Sequence, residues 1–261
     1  MAEESPLKPF YSVLVLAFVC SALVAGAAVG LRPFQEANRQ LDQKKNILRA
    51  AGLLRPGVPV AEQFAQVDTR LVELSSGRLV PREVLAPEDY NQLKAAFSPD
   101  LGRPLERDED LARLSRLEKY SLVYLVGGSQ GLEQIILPVR GKGLWSTMFA
   151  YVALDGDGST IRGISFYAHG ETPGLGGEVE NQRWQQSWQG KQVYGPEQRV
   201  RFRLVKGGAG TGPDQAPYEV DGLSGATMTS VGVNELMRFW FGEHGFQPFL
   251  ERLHAKGGSN G

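Results

Sequence analysis

The stretch TMFAYVALDGDGSTIRGISFYA, residues 147–168, decides the fold. Two apolar runs, 147–154 and 161–168, flank Asp155-Gly156-Asp157-Gly158. Runs of that length bounded by Gly and Asp read as an antiparallel hairpin. An Asp-x-Asp turn also invites a calcium reading. That reading loses, because the twelfth loop position holds Phe166 where a calcium loop needs a bidentate Glu. Upstream, SLVYLV at 121–126, then Gly127-Gly128-Ser129, then the apolar run 134–139 give a second hairpin signal. Downstream, VRFRLV at 200–205 alternates as a strand. Residues 231–241 read as a helix, with Val231, Leu236, Phe239 and Trp240 on its apolar face.

Working back toward the N-terminus, the texture becomes mixed and rich in charge and proline. A helix is expected near 60–66, a strand near 68–74 and a short helix near 106–118. Residues 35–53 (QEANRQLDQKKNILRAAGL) read as a helix that starts after Pro33 and stops at Gly52. Before it, FYSVLVLAFVCSALVAGAAVGL, residues 10–31, carries no charge and is long enough to cross a bilayer as a helix. Ser21, Ala22, Ala25, Gly26, Ala27 and Ala28 would let a neighbouring helix approach closely. Two readings stand for this segment: a permanent anchor, or a signal peptide cleaved near Ala25-Gly26-Ala27. The apolar run is longer than a usual signal core and its flank is weakly basic, which favours the anchor. Arg32, Arg39, Lys44 and Lys45 follow the segment and only Lys8 precedes it. A positive-inside count therefore puts the large C-terminal region in the cytoplasm.

The expected class is α+β: an antiparallel β-sheet with flanking helices, preceded by one N-terminal transmembrane helix. The expected organisation is a short tail at 1–9, the membrane helix at 10–32 and a mixed helical region at 33–118. The main domain follows at 119–254, with a flexible tail at 255–261. Composition limits what that domain does. Lys and Arg number 28 against 29 Asp and Glu, so no basic excess points to nucleic acid. The one cysteine, Cys20, rules out an internal disulfide and a Cys-ligated iron–sulfur cluster. Three histidines without partner spacing suggest no metal site. An electron carrier built on this chain needs a cofactor that does not use cysteine.

Three motifs carry chemistry. DGLSGAT, residues 221–227, stands just before the C-terminal helix. Its small residues let backbone approach an anion, and a helix N-terminus offers unpaired N–H groups. The plainer reading is that Thr227, Thr229 or Ser230 simply caps the helix. HGETPGLGG, residues 169–177, is too glycine-rich for a helix and lacks the Gly-Lys-Ser/Thr of a P-loop. It fits a loop laid flat on a planar ligand, or a surface Ω-loop. GKGLW, residues 141–145, presents Trp145 between small residues, for stacking on a ring or for an ordinary core.

The SGAT run resembles the flavinylation motif of bacterial FMN-binding domains. With GKGLWSTMFAYVAL, HGETPGLGGEVEN and VKGGAG in the same order, and QKKNIL followed by AAGL after one N-terminal helix, the chain resembles the NqrC family, the C subunits of the sodium-translocating NADH:quinone reductases. The resemblance covers nearly the whole chain. It implies an FMN joined through its phosphate to Thr227, attached by an FAD-consuming flavin transferase. Asp221 would belong to the sequence that enzyme reads. Ser224, Gly225 and Ala226 would shape the loop around the phosphate. Trp145, Glu171, Thr172, Gly174, Leu175 and Gly176 would line the flavin, with Lys206 toward an anionic part of the cofactor. No residue would act as acid, base or nucleophile in turnover. The resemblance implies partner subunits of a respiratory complex in a bacterial inner membrane, with this domain on the periplasmic side, against the charge count. The alternatives are the flavin subunit of a ferredoxin:NAD electron-transport complex, a secreted flavoprotein with a cleaved signal, and an anchored non-redox binding module.

Overall fold

The structure is a computed structural model that describes residues 7–128 and 131–257. Residues 1–6 and 258–261 of the expected tails, and Ser129 of the first hairpin turn, lie outside the described residues. Helix α1 (Lys8–Ala50) contains a stretch long and apolar enough to cross a membrane. The expected break before residue 35 is absent, and the helix runs through Pro33. Proline there removes one N–H and leaves the carbonyl four residues earlier without its helical partner, a local defect that a long helix can absorb. The Arg32–Glu36 pair, 3.1 Å apart, bridges the proline at i,i+4 spacing. The stop at Gly52 is as expected: Gly52 has φ +68°. The Leu53 amide donates to the Leu48 carbonyl (2.8 Å) and the Gly52 amide to that of Arg49 (3.1 Å), a Schellman closure.

Two compact units divide the chain between Lys44 and Lys45. The second begins with the last turn of α1. It continues through α2 (Val60–Phe64), β1 (Val67–Glu73), β2 (Arg78–Val80), a 3-10 turn at Pro87–Asp89 and α3 (Gln92–Phe97). Next come β3 (Gly102–Pro104), β4 (Arg116–Glu118), β5 (Tyr120–Gly128), β6 (Gly131–Lys142), β7 (Thr147–Asp155) and β8 (Ile161–Ala168). The remainder is a 3-10 turn at Gly176–Glu180, α4 (Gln182–Gln186), β9 (Arg203–Val205), β10 (Glu219–Asp221), α5 (Thr227–Trp240) and α6 (Gln247–Gly257). Six strands form one sheet in the order β2-β1-β5-β6-β7-β8, antiparallel throughout. Both expected hairpins are present. The change of texture near Tyr120 is not a boundary in the fold, because β1 pairs with β5 from Val67↔Val126 to Glu73↔Tyr120.

Two sequence expectations need correction. The short helix expected near 106–118 is absent: residues 106–115 form turns and irregular backbone, and Arg116–Glu118 is β4. The Asp110 carboxylate accepts the amides of Leu114 (2.6 Å) and Ser115 (2.8 Å). It thereby satisfies locally the groups that a helix would have paired. The strand expected at 200–205 shrinks to β9, which pairs in parallel with β10. Val200 instead bridges Tyr194.

Successive residues of a strand face opposite sides, and here both sides are buried. Met148, Ala150, Val152 and Leu154 of β7 pack with Val233, Leu236 and Met237 of α5. Tyr151 and Ala153 share the opposite core with Ile47 and Leu48. That double burial explains why 147–154 reads as a continuous apolar run. Helix α5 is fixed along its length. The Trp240 indole N–H donates to the Arg140 carbonyl (2.6 Å). The Asn234 amide brackets Leu204, accepting its N–H (2.7 Å) and donating to its carbonyl (3.1 Å). At Gly232 a Cβ would run into the Lys142 carbonyl oxygen. Helix propensity alone would make Gly232→Ala stabilising by about 1 kcal/mol. Overpacking against backbone costs about 1–3 kcal/mol. Net destabilisation is therefore expected, read as a lower thermal midpoint in detergent; an equal or higher midpoint would show that α5 can shift off the sheet.

Candidate functional site

Strand β10 ends at Asp221, a turn follows, and α5 begins at Thr227 itself, four residues earlier than the sequence pattern suggests. The N-cap is Ala226, with no side-chain cap. The capping reading of the hydroxyls therefore fails, and each has another place. Thr229, 1 % exposed, donates to Glu171 Oε2 at 2.6 Å. Ser230 Oγ accepts the Leu223 amide at 3.0 Å and closes the turn. Thr227 is exposed, and its hydroxyl has no hydrogen-bond partner among the described residues. The first N–H groups of an α-helix have no intrahelical acceptor, and the first such bond in α5 is Ser230 N–H to the Ala226 carbonyl (3.0 Å). The amides of Thr227, Met228 and Thr229 thus face the same end as the free hydroxyl.

Around this turn stand the other motifs. Gly225 has φ +71°, and a Cβ there would lie 3.0 Å from Leu175 Cδ2, so the 169–177 loop touches the SGAT turn. Ser224 is exposed. The Thr172 carbonyl accepts the amides of Leu175 (3.1 Å) and Gly177 (2.9 Å), which folds the loop back, and Gly174 has φ +74° at its tip. Trp145, 66 % exposed, and Leu144 stand out from the β6–β7 turn. Met228 and Val231 are exposed on α5, residues three and four apart sharing one face of a helix. Val231 thus shares the face of Thr227, not the apolar face expected for it. The buried face is Thr229, Gly232, Val233, Leu236, Met237, Phe239 and Trp240.

Glu171 lies at the centre. It is 5 % exposed. Its Oε1 accepts the amides of Trp145 (2.9 Å) and Ser146 (3.3 Å), and its Oε2 accepts the Leu144 amide (3.2 Å) besides Thr229. Glycine is required on both sides of it: a Cβ at Gly143 would stand 2.5 Å from Oε1, and one at Gly176 2.9 Å from Oε2 and 2.5 Å from Thr229 Oγ1. The residue expected to line a ligand instead turns its carboxylate into the protein. Asp221 behaves similarly: its Oδ1 accepts the Ala209 amide at 2.5 Å, and its carbonyl accepts the Trp184 indole N–H at 2.8 Å. This holds the 206–210 loop beside the motif. Lys206 opens that loop, directly after Val205, the register partner of Asp221. It is exposed and makes no ion pair among the described residues. Sequence reasoning did not single out the exposed Leu144 and Met228 beside the motifs, or the bond that Thr229 makes to Glu171. Only their position beside the motifs could have signalled them.

The turn, the glycine loop and the exposed apolar side chains converge within a stretch that comparison with known proteins assigns to a domain family. Residues 143–242 match the FMN-binding domain family. The chain is 44 % identical over 255 residues to the C subunit of the Na(+)-translocating NADH-quinone reductase of Pseudomonas aeruginosa, covering 96 % of this chain and 97 % of that one. It is 43 % identical to the Yersinia pestis protein of the same name, over the full length of both. The crystal structure of Shewanella oneidensis NqrC superposes with a TM-score of 0.76 at 35 % identity, covering 84 % of this chain and 99 % of that chain. The chain carries an FMN-binding domain. It belongs to the NqrC family, the C subunits of the Na(+)-translocating NADH-quinone reductase, an oxidoreductase complex.

Burial by itself would push the Glu171 carboxyl up. The Thr229 hydroxyl and the amides of Trp145, Ser146 and Leu144 outweigh it and hold the carboxyl below the ordinary glutamate range. A carboxyl depressed in the folded state contributes stability at neutral pH and loses it as pH falls through its folded value. Glu171→Gln is expected to destabilise most at neutral pH, with the difference from wild type shrinking as pH drops below about 4. Urea unfolding at a series of pH values measures this, and a difference independent of pH would contradict it.

Proposed function

We propose that this chain is the electron-carrying subunit of a sodium-pumping NADH:quinone reductase, and that it holds its FMN by a phosphoester to Thr227. The observation that carries the reading is the state of the hydroxyls. Thr229 and Ser230 are engaged, while Thr227 stands free and exposed at the first position of α5. A phosphate joined there would meet unpaired amides and the positive end of the helix dipole. Ser224, Gly225 and Ala226 provide a turn with little side-chain bulk. The exposed faces of Trp145, Leu175, Leu144 and Met228 suit a planar ring system. Thr172, Gly174 and Gly176 shape the loop from the other side, and Lys206 is a cation near enough in sequence pairing to serve an anionic group.

FMN, when bound, supplies redox chemistry in one- or two-electron steps. This chain's residues attach, shield and orient it, and none is needed as acid or base during turnover. Attachment balances as a transfer from FAD. The Thr227 Oγ–P bond forms, the diphosphate bond breaks, AMP leaves, and the hydroxyl proton goes to a base of the flavin transferase. Asp221 belongs to the sequence that such a transferase reads. Helix α1 is a single-pass anchor in a bacterial inner membrane, with the flavin domain on the periplasmic side and other subunits of the complex as partners. The cations after the apolar stretch argue for the opposite orientation, but partner subunits can override a charge bias. With no acid in the apolar stretch, this chain does not form a sodium path by itself.

In the assembled complex, Thr227→Ala is expected to abolish NADH-driven quinone reduction while the complex still assembles. Flavin fluorescence should vanish from the denatured band of this subunit. Fluorescence that survives denaturation in Thr227→Ala would place the bond elsewhere.

A further inference from the structure

We infer that Glu171 is a positioning residue: its buried carboxylate locks the turn that displays Trp145 to the first turn of α5, and so sets Trp145 relative to Thr227. The inference deepens the flavin reading and rests on it. Three separate segments meet at this one group. Trp145 and its two neighbours donate their amides to it, Thr229 donates its hydroxyl two residues after Thr227, and Glu171 itself opens the glycine loop. Its reach is enforced by the glycines at 143 and 176, where any side chain would occupy the space of the carboxylate or of Thr229.

The 143–146 turn has its own closure, the Gly143 amide donating to the Ser146 carbonyl at 2.8 Å. The Lys142 ammonium also donates to the Trp145 carbonyl at 3.1 Å. Neither bond reaches α5 or Thr227. Removing the Thr229 hydroxyl therefore leaves the turn closed and cuts its hydrogen-bonded link to the helix, leaving only the packing of Gly232 against Lys142 and Gly143. A buried carboxylate deprived of a donor has reason to move, because an unsatisfied buried charge is costly. Trp145 and Thr227 would then share no hydrogen-bonded partner and be related through packing alone.

The test uses the full chain in detergent, with Thr229→Val and Thr229→Ser, and has two readouts. The first is amide hydrogen exchange of residues 144–146 in flavin-free protein. Thr229→Val should exchange several-fold faster there, and Thr229→Ser should match wild type. The second is flavin fluorescence of the loaded fraction, with loading counted by intact mass. An indole held against a flavin quenches it, so Thr229→Val should be several-fold brighter and Thr229→Ser should restore quenching. Unchanged exchange and unchanged quenching in folded Thr229→Val would overturn the inference. If Thr229→Val does not fold, Glu171→Gln takes its place. It keeps the volume but sets an NH2 group against the 144–146 amides, and the same two readouts decide. Wild type that carries no covalent flavin despite active transferase would sink the underlying reading, while the exchange experiment would still judge the role of Glu171.

Discussion

Four donors from two distant segments converge on one buried carboxylate, and the site depends on that convergence. Backbone amides from the β6–β7 turn and a hydroxyl from α5 supply what water would have supplied to Glu171. Burying an unpaired carboxylate would be prohibitive. Burying one with four hydrogen bonds is tolerable, and it brings together stretches of the chain 26 and 58 residues away in sequence. The surrounding glycines follow from it. The lack of a side chain at Gly143 and Gly176 leaves room for the carboxylate, while the Gly143 amide also closes its own turn. The glycine loop is thus tied by hydrogen bonds behind and open in front, where Trp145, Leu175 and Met228 remain exposed.

The same interaction narrows which hydroxyls are free, leaving the exposed Ser224 before the helix and Thr227 at its first position. The segment 224–230 holds four hydroxyl-bearing residues, Ser224, Thr227, Thr229 and Ser230. Thr229 faces inward to Glu171 and Ser230 folds back on Leu223. Because α5 begins at Thr227 without a capping side chain, the helix end keeps its amides available for an anion. Asp221 and Glu219 act in a similar way on the neighbouring loop. They accept the amides of Ala209 and Gly210 and keep the Lys206 loop beside the entry to the motif. Acidic side chains in this domain are therefore used to shape loops as much as to bear charge at the surface.

Much of this was legible in the sequence, for stated reasons. The hairpin at 147–168 and the strand at 121–126 announce themselves through apolar runs and turn residues, and Gly52 marks a helix end through its need for positive φ. The three motifs can be read locally and do meet in space. What escapes such a reading are effects of partners distant in the chain. Nothing near 67–73 shows that it pairs with 120–126. Asp110 looks like a helix residue until its carboxylate is seen to take two amides. Pro33 reads as the residue before a new helix start, and a continuous helix runs through it instead. Glu171 and Thr229 read as a ligand-facing acid and a helix cap because their mutual bond spans 58 residues. The apolar side chain of Val231 suggests the buried face, but the helical rotation sets it one turn from Thr227 on the exposed side.

The most direct measurement is tandem mass spectrometry of the proteolytic peptide spanning residues 221–238, taken from protein matured with an active flavin transferase. Fragment ions that put the mass of FMN, less water, on Thr227 and leave Ser224, Thr229 and Ser230 unmodified are the expected result. The increment on Ser224, its spread over several hydroxyls, or an unmodified peptide would contradict the proposed attachment at Thr227.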